Sequence, residues 1–162
     1  MNRIYLDGYN FILRNPDLAR IFRDNPLLAR QRLKSLLQGY AALKKAKVVV
    51  AYDSKEKGLD QGTVTSDYLY KEVFVKDADS YLRKTVEKSR GGRRSELTVV
   101  SSDVSDVLLP AKAQGVRVLT SEEFFSQILS MNRKTGEEPE KPSPPGKNEI
   151  EDWIKYFEEG EE

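Results

Sequence analysis

Three acids close apolar runs in this chain: Asp7 after Ile4-Tyr5-Leu6, Asp53 after Val48 to Tyr52, and Asp103 after Leu97 to Ser102. A fourth, Asp79, falls in the first turn of an expected helix. An acid at the carboxyl end of a buried parallel strand lies where open α/β sheets hold their ligands. If strands one and four are neighbours, Asp7 and Asp103 meet across one crevice, and Asp79 reaches it from the helix after strand three. Carboxylates crowded together repel one another unless protons or a cation neutralise them. Oxygen ligands favour Mg²⁺ or Mn²⁺, and such an ion assists the hydrolysis of phosphodiesters. Each acid also has an ordinary explanation. Asp7 suits a cap on the turn made by Gly8, and Asp79 suits the positive end of a helix dipole.

Composition narrows the chemistry. The 162 residues contain no histidine and no cysteine. Ser-His-Asp and Cys-His catalysis, disulfides and thiolate zinc sites are thereby excluded. A charged fraction of 33% against an apolar fraction of 38% describes a polar-surfaced domain. No run of about 18 apolar residues exists, so no membrane span is expected. The N-terminus lacks the apolar core of a signal peptide, which makes the cytoplasm the expected location. The net charge is only +1. Contact with nucleic acid must therefore rest on local patches.

The elements that must position the acids alternate. Strands are expected over 4–6, 47–53, 70–75, 97–103 and 116–119. Helices are expected over 17–23, 26–45, 78–88, 104–114 and from Thr120 through Leu129. Asn25-Pro26, Asp77 and the capping box Thr120-Ser-Glu-Glu123 mark helix starts. Pro110 predicts an irregularity within its helix. The stretch 54–66 reads as an exposed loop. Alternating strands and helices imply a parallel α/β sheet of about five strands, for which the order 3-2-1-4-5 is the expected one. After Met131 the composition changes. Residues 132–148 hold four of the seven prolines and read as a flexible linker. Ile150, Trp153, Ile154 and Phe157 then fall at helical spacing, predicting a short amphipathic tail helix over 149–162. That helix is too short to stand alone in water. It must dock on its own domain (1–131) or on a partner.

Three motifs together resemble a family. Asp7-Gly-Tyr-Asn10 after a strand, Ala78-Asp-Ser-Tyr81 opening a helix, and Val99-Val-Ser-Ser-Asp103 ending a strand are similar to the YacP-type NYN-domain proteins. These belong to the wider PIN-like nucleases. The resemblance runs over 1–131. It implies a three-layer α/β PIN-like fold and a metal-dependent endoribonuclease using Mg²⁺ or Mn²⁺. It matches the family's acids to Asp7, Asp79 and Asp103 as metal-binding and catalytic residues, and its strand-one Asn to Asn10. Asn10 would orient a water or a phosphate, or else simply hold a turn. Asp53 and Asp106 are second-line candidates. The products expected by resemblance are a 5′-phosphate and a 3′-hydroxyl. Members acting on messenger RNA in translation make the ribosome a candidate partner.

Cations for the RNA backbone are expected at Arg93 and Arg94, within Arg90-Gly-Gly-Arg-Arg94, and at Lys55 and Lys57. Both groups also read as ordinary solvated loops. Tyr9 or Tyr52 could stack on a base, though a place in the core or the crevice wall suits each better. Three rivals stand beside the nuclease. One is a PIN-like module that binds RNA or the ribosome without cutting. Another is a Mg²⁺-dependent phosphatase, but Tyr9 stands where one large class needs its second acid. The third is an interaction protein acting through the Trp153 helix.

Overall fold

β1 (Arg3–Asp7) runs straight into α1 (Gly8–Arg14), with no connection between them. The Asp7 carboxylate makes this junction by accepting the Asn10 amide at 3.1 Å. The structure, a computed structural model, describes residues 1–54, 62–65, 68–89 and 96–136. The segment expected to connect β1 to the next helix is thus itself helical. Asn15 then caps α2 (Pro16–Asp24) by accepting the amides of Asp17 and Leu18, and Asn25 caps α3 (Pro26–Lys44). Each Asn is followed by Pro, whose missing N–H costs nothing at a first helical position.

β2 (Lys47–Asp53) is buried throughout its centre. β3 (Gly62–Thr65) lies where a loop was expected, and it pairs antiparallel with β4 (Tyr70–Val75). Four residues with no long apolar run leave no strand signal until an edge is there to pair with. α4 (Ala78–Lys88) follows β4 and β5 (Leu97–Val100) follows α4. The helix expected over 104–114 opens as a π turn, Val104–Leu108, before α5 (Leu109–Ala113). The irregularity falls a turn before Pro110. There Leu108 donates to Asp103 at 3.1 Å and Leu109 donates to Val104, both five residues back. β6 (Arg117–Leu119) and α6 (Ser121–Gly136) complete the domain. α6 carries the chain five residues past the composition change at Asn132, since the first breaker met is Gly136.

The sheet order is β3-β4-β2-β1-β5-β6. Five of these strands are parallel, in the expected 3-2-1-4-5 order, and the antiparallel β3 adds an edge. Ile4, Leu6, Val48, Val50 and Tyr52 face α1, α2, α3 and α6 in the larger core. Tyr5, Val49, Leu97 and Val99 face α4 and α5 on the other side. Three layers result, as the family likeness implies. Among the described residues no helix is long and apolar enough to cross a membrane.

Lys45, after α3, is the one described non-glycine residue with positive φ, at 53°. An L side chain pays for the left-handed region there. Lys45→Gly is therefore expected to stabilise the fold by about 0.5–1 kcal/mol in urea denaturation. A loss of stability would show that the Lys45 side chain contributes more than its backbone costs.

Candidate active site

The acids converge because β1 lies centrally, between β2 and β5. Asp7 pairs with Ala51 of β2, and Leu6 pairs with Val100 of β5. Asp7 therefore stands at the carboxyl edge, with Asp53 two residues further along β2 and Asp103 just past the end of β5. Asp79 enters from the first turn of α4, whose cap is Asp77. The Asp77 carboxylate accepts the Asp79 amide at 3.2 Å and the Ser80 hydroxyl at 2.7 Å.

Asp7 and Asp79 touch. The hydrogen bond between their carboxyl groups works to raise Asp7 and to lower Asp79. Burial chiefly pushes Asp7 up to about 7, against the Asn10 amide, and the charges of Asp79 and Asp53 push it further. Asp79 is also raised, first by burial and next by the charge of Asp103. The three acids expected to act together thus share one electrostatic neighbourhood, joined by Asp53.

Asp103 is held rigidly. Its carboxylate accepts the Asp106 amide at 3.0 Å, and its own amide donates to the fully buried Ser101 hydroxyl at 3.0 Å. Asp106 itself is exposed. Asn10 faces the same end of the sheet through an unexpected set of partners. Its Nδ2 donates to Ser102 Oγ at 2.6 Å. Its Oδ1 accepts the Ser102 amide and the Ser121 hydroxyl, both at 2.9 Å. Asn10 thereby ties α1 to the ends of β5 and β6. Ser101, Ser102 and Ser121 form a polar floor that the sequence motifs did not single out. The Ser-Ser pair ahead of Asp103 was the available signal.

Tyr9 and Tyr52 are core residues. Tyr52 is fully buried, stacked on Phe74 at 5.5 Å, and Tyr9 packs on it at 4.8 Å. Neither ring offers a face to a base. Lys55, Lys57, Arg93, Arg94 and the Trp153 tail lie outside the described residues.

An all-carboxylate donor set fits a hard divalent cation, and the Asp7–Asp79 contact is one such an ion would relieve. Asp7 and Asp79 are the pair that would hold it. No group of three acids stands at ligating spacing among the described residues.

The profile of the YacP-like NYN domain matches residues 4–158. No curated protein matches the chain. Two crystal structures of Rae1 (YacP) from Bacillus subtilis share the fold. One superposes with a TM-score of 0.66 at 21% identity, over 83% of this chain and 78% of that one. The other, a W164L mutant, gives 0.66 at 20% identity, over 83% and 79%.

Proposed function

The chain belongs to the YacP-like NYN domain family, whose members are RNase-like nuclease domains, and from this we propose that it is a metal-dependent endoribonuclease. The observation that carries the proposal is the contact between Asp7 and Asp79 beneath the charge of Asp103. The substrate would be single-stranded or messenger RNA, with the ribosome as a candidate partner.

Asp7 and Asp79 would hold Mg²⁺ or Mn²⁺, with Asp103 on the far side of the crevice. The ion, when bound, would neutralise phosphate charge and acidify water. Asp79 or Asp103 would orient a water for in-line attack and take its proton. The water oxygen would bond to phosphorus as the P–O3′ bond breaks, leaving a 5′-phosphate, and the leaving O3′ would take a proton from solvent to become the 3′-hydroxyl. Asn10 would act by positioning: it fixes the Ser102 turn from which Asp103 projects.

The experiment is incubation of labelled single-stranded RNA with purified protein in Mg²⁺, Mn²⁺ or EDTA. Cutting is expected in either metal and should stop in EDTA. Persistence in EDTA removes the metal reading. The lack of three acids at ligating spacing among the described residues favours a second reading, a module that holds RNA without cutting. It predicts RNA retention with no cleavage in either metal.

A proton and a cation would compete for Asp7, whose folded value lies near 7. At low Mn²⁺ the cleavage rate is expected to rise with pH through neutrality. The midpoint should move to lower pH as Mn²⁺ is raised. A midpoint indifferent to Mn²⁺ concentration would take Asp7 out of the metal site.

A further inference from the structure

Among the described residues, one part of the sheet lacks a covering helix. α4 begins over Ala51 and Val73, then slants toward β5, where Leu82 and Val86 pack with Leu97 and Val99. Val49 is buried under the start of α4 and Tyr5 packs on Tyr81, but the first residues of β1 and β2 and Lys71 of β4 are left partly open on that face. Arg3 pairs with Lys47, Tyr5 with Val49, and Val49 with Lys71, so these five side chains share one surface. With Tyr68 they line a groove of about 350 Å³. A parallel sheet is normally covered on both faces. Here the bare strip runs beside a helix, which is the shape a second helix fills.

The groove is cationic as well as apolar. No acid lines it, and Arg3, Lys47 and Lys71 form no ion pair among the described residues. The Arg3 Nη2 atom is buried without a hydrogen-bond partner among the described residues, which is costly for a charged group. Lys47 lies over the Tyr68 ring at 4.7 Å, and Tyr68 is 74% exposed.

The chain carries a segment of opposite character. Residues 149–162 hold seven acids and a single lysine around the apolar set Ile150, Trp153, Ile154 and Phe157. The family match continues to residue 158, so this tail belongs to the shared pattern. It can also reach the groove. Phe124 and Gln127 of α6 already lie beside Asn2 and Ile4, at the starting ends of the strands. From Gly136 the intervening residues 137–148 span up to ~40 Å.

We propose that the tail 149–158 docks in this groove as an amphipathic helix. Its apolar residues would pack on Tyr68 and on the open side of Tyr5, and its acids would meet Arg3, Lys47 and Lys71. The inference is independent of the nuclease reading, since the groove lies at the opposite end of the strands from Asp7.

Trp153 is the chain's only tryptophan, so its fluorescence reports the docking directly. In the full chain, its emission is expected to be blue-shifted and shielded from acrylamide, independent of protein concentration. The double variant Lys47→Glu/Lys71→Glu should red-shift the emission to that of free indole, with a small loss of helical circular dichroism from the released tail and a cooperative melt of the domain retained. Tyr68→Ala, at an exposed position, should loosen the shielding by itself. Solvent-exposed emission in the wild type would overturn the proposal. So would a blue shift that survives both variants, which places the tail elsewhere, or one lost on dilution, which makes a second copy the partner.

Discussion

Asp7→Asn is expected to lower RNA cleavage by about 10²-fold or more while raising the melting temperature above neutral pH. The substitution keeps the cap, because Asn Oδ1 can still accept the Asn10 amide. It removes the charge that would hold a cation, and with it the carboxyl that burial pushes up to about 7. The stability effect follows from the direction of the Asp7 shift. Its folded value is near 7 against an ordinary 3.8. The folded state therefore binds this proton more tightly than the unfolded state, and stability falls as pH rises between those values. Each unit corresponds to about 1.4 kcal/mol, so the full penalty above neutrality is up to about 4 kcal/mol. Asn stays buried and polar and recovers part of it. In EDTA the variant should melt several degrees higher than wild type above pH ~7, and no higher near pH ~4. Unchanged cleavage would remove Asp7 from the chemistry. An unchanged melting temperature at both pH values would mean that the Asp7 carboxylate is not strained by its surroundings.

Gly8→Ala is expected to be among the most damaging single methyl additions in the protein. A Cβ at residue 8 would come within 2.7 Å of Tyr52 Cδ1 and of Val50 Cγ1, and would press on Tyr52 Cε1 as well. Tyr52 has nowhere to go, being fully buried between Tyr9 and Phe74. Over-packing of this kind costs about 3 kcal/mol, a drop of roughly 6–12 °C for a domain of this size. Because Gly8 adjoins Asp7, cleavage should fall along with stability. A melting temperature within a degree or so of wild type would show that the Tyr52 ring yields.

Much of this could be read from the residues. The short apolar run Ile4–Leu6 and the longer one Val48–Tyr52 announced buried strands, and the alternation with helices implied that they run parallel. The acids could be placed because each sits where a run ends. Features made by tertiary contact left weaker traces. β3 becomes a strand because β4 offers it an edge. α1 begins at Gly8 because Asp7 caps it and only glycine lets that turn approach Tyr52. Asn10 read as a water-orienting or turn residue, yet its partners Ser102 and Ser121 lie about a hundred residues away in the chain. No local pattern can announce such a contact. The touch between Asp7 and Asp79 is of the same kind: sequence placed both at one edge, and only the packing of α4 brings them together.

The central place of β1 has a consequence for biosynthesis. During translation β1 stays unpaired on one side until Leu97–Val100 emerges, and Asn10 waits longer still for Ser121. Such distant pairings fold slowly. A nascent chain of this protein thus carries Asp7 from the outset but has no assembled pocket until most of the domain has been translated.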